Sequence, residues 1–118
     1  MSRKLVAIAV VNLEDGMPTV ESARLRMQHE LEQARRSSVI ALKLIHGYGS
    51  SGTGGVLRTE LQKDLRLAVQ QGSLRTAIAG EDWRISDETT WDLLKRYPEW
   101  KKDPDLGRNN RGICIVVL

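Results

Sequence analysis

Residues 39–58 read VIALKLIHGYGSSGTGGVLR, and this stretch passes from an apolar run through a glycine-rich loop into an amphipathic segment. The run Val39 to Ile45 is typical of a strand buried within a sheet, because almost all of its side chains are apolar. Beyond the loop, Leu57, Leu61 and Leu65 recur at helical spacing, which predicts a helix. A buried strand that leads through a loop into a helix is a basic unit of α/β proteins.

Three further strands and one further long helix are predicted on either side of this unit. Apolar runs with β-branched residues predict the strands, and apolar residues at helical spacing after Thr19, a candidate N-cap, predict a helix that ends near Arg36. The predicted strands are Leu5 to Leu13, Leu74 to Ala79 and Ile113 to Leu118. The order β-α-β-α-β-β predicts an α/β fold, a two-layer α/β sandwich with a mixed four-stranded sheet.

An irregular segment, residues 80–108, separates the last two predicted strands, and we call it the excursion. It is predicted to be partly helical, with a short helix that Ser86 or Asp87 caps and Pro98 limits. Packing of its tryptophans against the domain is the favoured interpretation, and a base-stacking surface is the alternative. The tryptophans are Trp83, Trp91 and Trp100.

The bulk properties are those of one small globular domain. With 118 residues, of which 41% are hydrophobic, the chain is long enough to enclose one core, and we expect a single domain over residues 1–118. The apolar runs are too short to span a membrane, and the start of the sequence has no small-residue cleavage site. The single cysteine, Cys114, can form no internal disulfide. These features favour the cytoplasm and no membrane partner.

The charge of the chain is unevenly distributed. The formal net charge is +3, but the stretch from Gly80 to Asp105 holds eight acidic and five basic residues. The excess of positive charge therefore lies outside the excursion. A basic domain body is compatible with a polyanionic partner and equally with an ordinary solvated surface.

The glycine-rich loop is predicted to bind an anion. Five glycines within nine residues are costly in conformational entropy, which suggests close backbone approach to a ligand or positive φ angles. Such a loop at a helix N-terminus directs backbone N–H groups and the positive end of the helix dipole at one point, and the guanidinium of Arg58 matches phosphate oxygens. A surface loop without a ligand is the alternative. The glycines are Gly47, Gly49, Gly52, Gly54 and Gly55.

Two nucleotide-binding motifs fit the loop only in part. Residues 47–52 satisfy the dinucleotide pattern GxGxxG, but too little chain follows for the full dinucleotide fold, and Glu81 and Asp82 come too late for the ribose-binding acid. The ATP-binding pattern GxxxxGK[ST] fails because Thr53 and Gly54 stand at its lysine and hydroxyl positions. We therefore expect no dinucleotide, no ATP and no other cofactor.

The sequence resembles the Smr (small MutS-related) domain family. The family's second motif, HGxG followed by a glycine-containing stretch and LR at a helix start, is matched by His46, Gly47, Gly49, Leu57 and Arg58. Gly16 with the helix start after it, and Gly112 with the closing run ICIVVL, resemble family features as well. The resemblance covers nearly the whole chain apart from the excursion. It implies a nucleic-acid-binding domain with which a nuclease activity is associated.

The chain departs from the family at its first motif. Where the family has LDLHG, residues 12–16 read NLEDG, so the acidic residue and the histidine of the motif are both replaced. The resemblance associates those two residues with nuclease activity, and phosphodiester cleavage needs a group that moves protons. Glu14 and Asp15 are the candidate replacements. Under a nuclease hypothesis the catalytic residues are therefore His46, Asp15 and Glu14.

His46 is the central candidate, because it stands where the strand ends beside the loop. It can contact phosphate or transfer protons, or it can order the loop through a backbone hydrogen bond. Three basic residues can extend a basic track toward the loop, with ordinary surface placement as the alternative. They are Lys43, Arg108 and Arg111. No histidine and cysteine cluster supports zinc, and adjacent acids are too common to predict magnesium, so no metal is expected.

Three functions are compatible with these residues, in order of preference. The leading hypothesis is a domain that binds the backbone phosphates of RNA or DNA through residues 47–55, His46 and Arg58, without recognising individual bases. The first alternative is an endonuclease that nicks DNA or cleaves RNA, with His46 and Asp15 handling protons. The second alternative is an interaction module, in which the excursion docks on a ribosomal or other protein partner.

Overall fold

The computed structural model describes residues 5–16, 19–47 and 54–118. Within them, strands and helices follow the predicted order, and two short 3₁₀ helices lie in the excursion. The strands are β1 (Leu5–Asn12), β2 (Val39–Ile45), β3 (Thr76–Ala79) and β4 (Ile113–Val117). The α-helices are α1 (Val20–Arg36), α2 (Gly54–Gln70) and α3 (Glu88–Arg96), and the 3₁₀ helices are Gly80–Asp82 and Pro98–Lys102.

The strands form one mixed sheet in the order β1-β2-β4-β3. β1 is parallel to β2, whereas β4 is antiparallel to both of its neighbours, β2 and β3. The predicted α/β class and mixed four-stranded sheet are thereby confirmed. The third strand is shorter than predicted, because the amide of Leu74 still donates a hydrogen bond to the carbonyl of Ala68 at 3.3 Å, within the turn that ends α2.

The two long helices cover one face of the sheet. Thr19 caps α1 as predicted, since its hydroxyl oxygen accepts a hydrogen bond from the amide of Ser22 at 3.1 Å. Residues three or four apart on each helix are buried against alternate residues of the strands. This is expected, because such residues share one face of a helix and alternate residues share one face of a strand. This core includes Met27, Leu31, Leu42, Leu44, Leu57, Leu61, Leu65 and Val116.

The excursion covers the opposite face of the sheet. Asp87 caps α3, since its carboxylate accepts a hydrogen bond from the amide of Thr90 at 3.0 Å. Trp83 and Trp100 are 0% and 2% exposed, which confirms the packing role predicted for the tryptophans at these two positions, whereas Trp91 is 40% exposed. This second core consists of Ala41, Ile78, Trp83, Leu94, Trp100, Ile113, Ile115 and Val117.

Lys43 attaches the excursion to the sheet. It lies in the middle of β2, opposite Ile115, and its ammonium group is buried 2.7 Å from Oδ1 of Asp103 and 2.6 Å from Oδ2 of Asp105. The indole of Trp83 donates to the other oxygen of Asp103 at 3.0 Å. Burial opposes the charge of Lys43, but the hydrogen bonds to the two carboxylates outweigh it and hold its pKa above the ordinary value.

Contrary to the sequence prediction, Lys43 is not part of a surface basic track. Its charge is directed into the second core and neutralised there by two carboxylates, so it offers no exposed cation to a phosphate. The prediction failed because the acids that bind Lys43 lie in the excursion, sixty residues further along the chain.

Replacing Lys43 with methionine should destabilise the fold strongly, because two partly buried carboxylates would lose their cation. We expect the free energy of unfolding, measured by urea denaturation, to fall by about 3–5 kcal/mol. The matched control is Lys95→Met, which removes an exposed ion pair with Asp92 and should cost less than about 1 kcal/mol. Similar losses for both variants would contradict the role assigned to Lys43.

Candidate functional site

The candidate site lies at the end of the sheet where β2 ends and β4 begins. The amides of His46 and Gly47 both donate to the carbonyl of Gly112, at 2.9 and 3.1 Å. The amide of Leu13, just after β1, donates to the carbonyl of Ile45 at 2.8 Å. These bonds bring together the ends of three chain segments, which are the turn after β1, the His46–Gly47 turn and Gly112.

His46 is fully buried and orders the turn that follows β2. Its Nδ1 lies 2.6 Å from the carbonyl oxygen of Gly47. Because a carbonyl only accepts, Nδ1 carries the hydrogen and Nε2 is a free lone pair. Among the described residues Nε2 finds no hydrogen-bond partner. Burial lowers the pKa of His46 despite the bond to Gly47, so the ring is neutral near pH 7 and Nε2 cannot donate to a phosphate.

Glu14 lies directly against Gly47. Gly47 has a φ of +74°, a backbone conformation that favours glycine, and a Cβ at this position would meet the Glu14 carboxylate. The turn that carries Glu14 is held by Asn12, whose side-chain oxygen accepts from the amides of Glu14 and Asp15 at 2.9 and 3.1 Å. Asp15 itself is exposed.

The residue that stands at the acid position of the family's first motif is Leu13, and it is only 1% exposed. Its apolar side chain belongs to the core beneath α1 and α2 and can neither transfer a proton nor bind a phosphate. Of the two candidate replacements, the structure brings Glu14 and not Asp15 into contact with the His46–Gly47 turn.

Arg58, in the second turn of α2, is held by two partners. Its Nε donates to the carbonyl of Arg111 at 3.2 Å, and its Nη2 forms an ion pair with Glu81. Both side chains of this ion pair remain about a quarter exposed, so solvent reaches the guanidinium. No acidic residue lies in the first turn of α2, and the positive end of its dipole is therefore not neutralised from within the helix.

Arg108 and Arg111 lie on the rim of the same end of the sheet. Both are exposed, and together with Asp105 they line an open depression of about 470 Å³. The loop that carries them is held by Asn110, whose side-chain oxygen accepts from the amide of Gly112 at 2.9 Å. Arg111 is therefore adjacent both to Arg58 and to the His46–Gly47 turn.

Only some glycines of the predicted phosphate loop fall within the described residues. Gly49 and Gly52 lie outside the described residues, Gly54 begins α2, and Gly55 is in its first turn. Glu81 was missed as a site residue, because nothing in its local sequence indicates that it meets Arg58 across the fold.

Within the described part of the chain there is no group of three His, Cys, Asp or Glu residues that could hold a metal ion. No helix there is long and apolar enough to cross a membrane.

The chain has an Smr-like fold. Its structure matches the crystal structure of the Smr domain of Thermus thermophilus MutS2 with a TM-score of 0.58 and 22% sequence identity, over 94% of this chain and 98% of that one. No protein-family model matches the sequence, and no curated protein matches it. The expected Smr-like architecture is thereby confirmed, and at this identity the likeness establishes the fold alone.

Stability should decrease as the pH falls below about 6.5, because the unfolded chain protonates His46 at its ordinary pKa of 6.5 while the folded protein keeps the ring neutral. The free energy of unfolding should have a slope of up to about 1.4 kcal/mol per pH unit from this one group. His46→Asn, whose amide can keep the bond to Gly47, should lack that contribution. An imidazole of His46 that titrates in the folded protein at or above pH 6.5, measured by NMR, would contradict this assignment.

Proposed function

We propose that this domain binds the phosphate backbone of RNA or DNA at the end of the sheet beside the N-terminus of α2. The observation that carries the proposal is the position of Arg58, whose partly exposed guanidinium lies against the backbone of Arg111, next to the Gly112 carbonyl that binds the His46–Gly47 turn. The Smr-like fold supports it, because the resemblance of the sequence to that family covers the same turn and Arg58.

The electrostatics of this surface suit a polyanion. Exposed guanidinium groups form charge-assisted, paired hydrogen bonds with phosphate oxygens, and the N-terminus of α2, which has no acidic residue in its own first turn, adds a positive potential. A strand that offers several phosphates can contact Arg111 and Arg108 as well as Arg58, whereas one isolated anion cannot. Such contacts do not distinguish bases, so we propose binding without sequence preference.

His46 has a supporting role in this proposal. A neutral, fully buried ring that donates to Gly47 sets the direction of the chain as it enters the phosphate loop. The loop amides and the arginines, rather than the imidazole, are then the groups that meet phosphate.

Arg58→Ala should weaken binding to a fluorescent single-stranded RNA about tenfold at low salt and reduce the slope of log Kd against log salt by about one, because one phosphate contact is lost. The control is Arg75→Ala, since Arg75 is exposed at the opposite end of the sheet, where its amide donates to Val117. It removes the same charge and should change binding much less. Equal effects of the two variants, or no binding by the unmodified protein to structured RNA, single-stranded RNA or branched DNA, would refute the proposal.

Endonuclease activity is a second candidate function, and the position of Glu14 favours it. Its carboxylate is the acidic group that contacts the His46–Gly47 turn, close to where a bound phosphate would lie. A carboxylate there can accept a proton from an attacking hydroxyl or water. The buried, neutral state of His46 makes Glu14 the better candidate for proton transfer.

If the domain cleaves nucleic acid, Glu14→Gln should reduce the rate by about a hundredfold or more, because it removes the proton acceptor while preserving size. Asp15→Asn is the matched control and should have a smaller effect, since Asp15 is exposed beside the turn. Gel assays on structured RNA, single-stranded RNA and branched DNA measure both. Cleavage that is insensitive to Glu14→Gln would exclude this residue, and inactivity on all three substrates would exclude the nuclease.

A further inference from the structure

Arg58 is already occupied by an acidic side chain of the protein itself. We propose that Glu81 competes with nucleic-acid phosphate for Arg58, so that the excursion sets how tightly the site binds. This inference rests on the function proposed above and deepens it by naming the residue that regulates the site.

The fold places Glu81 beside Arg58 independently of their ion pair. Glu81 lies in the 3₁₀ helix that begins the excursion, directly after Gly80. Gly80 is packed so closely on the carbonyl of Asn110 that a Cβ would collide with it. On the other side, the amide of Trp83 donates to Gly80 at 3.2 Å, and its indole is buried in the second core. The backbone of Glu81 is thus held near the arginine by the close contact at Gly80 and by an anchored tryptophan.

The bond between Glu81 and Arg58 is suited to exchange. Oε2 pairs with Nη2 of Arg58, but Oε1 is buried with no hydrogen-bond partner among the described residues. A carboxylate that pairs with Arg58 through one of its oxygens is bound less well than a phosphate that engages the whole guanidinium fork. Partly exposed ion pairs of this kind contribute little net stability, so displacement of Glu81 has a low free-energy cost.

A polymer can offset the cost of displacing Glu81, whereas a single anion cannot. Inorganic phosphate must displace Glu81 with the energy of one contact, whereas a nucleic-acid strand can at the same time contact Arg111 and Arg108. Glu81 therefore lowers the affinity for both, but a strand can offset that loss through its additional contacts. The site discriminates by the number of phosphates offered.

The opposite role for Glu81 is also testable. If the carboxylate served to orient Arg58 for phosphate, its removal would weaken binding instead of strengthening it. The direction of the change therefore separates a competitor from a positioning residue.

The experiment measures binding of the full chain to a fluorescent single-stranded RNA and to inorganic phosphate at low salt. Glu81→Gln, which keeps the shape and removes the charge, should tighten RNA binding about fivefold to tenfold, and phosphate should become a better competitor. Glu99→Gln removes an exposed acid elsewhere in the excursion and should tighten binding less than twofold. In an Arg58→Ala background, Glu81→Gln should have no greater effect than Glu99→Gln.

Each result decides the inference. Unchanged or weaker RNA binding by Glu81→Gln, or equal gains from Glu81→Gln and Glu99→Gln, would overturn it while leaving the proposed function intact. Absence of binding by every variant would overturn both. Thermal unfolding confirms that each variant is folded. Glu81→Asp shortens the side chain but keeps its charge, and it should tighten binding to a smaller degree than Glu81→Gln.

Discussion

The buried bond between Lys43 and two aspartates is the interaction on which the arrangement of this domain depends. A lysine in the middle of a central strand is tolerated only if its charge is paired, and Asp103 and Asp105 supply that pairing from the end of the excursion. The bond therefore requires the excursion to lie across the second face of the sheet. Trp83 and Trp100 then complete the second core around it.

The candidate site is a consequence of this placement. With the excursion held on the sheet, its first turn brings Glu81 to Arg58. The loop after its last turn brings Arg111 to Arg58 and Gly112 to the His46–Gly47 turn. The site thus combines groups from both sides of the sheet. Its cations come from α2 and from the loop that follows the excursion, while its acids come from the turn after β1 and from the excursion itself.

Much of the architecture could be predicted from local sequence. The four strands, both long helices and the cap at Thr19 follow from apolar periodicity and from the hydrogen-bonding capacity of short polar side chains, which act over a few residues. Of the two candidate caps of α3, Ser86 and Asp87, the structure has Asp87. The Smr-like architecture could be predicted from the His46 to Arg58 motif and the order of elements. Of the interpretations open for His46, a backbone hydrogen bond that orders the turn is the one observed.

Local sequence was enough to predict which segments become strands and helices and which of their faces are apolar, because those properties depend on neighbours a few residues away. The tertiary structure alone decided the strand order, the face that the excursion covers, the loss of Lys43 from the surface, the contact of Glu14 with Gly47 and the pairing of Arg58 with Glu81. The interaction energy of two charges depends on the distance between them in space. A local sequence pattern does not show which distant acid a lysine or an arginine will contact.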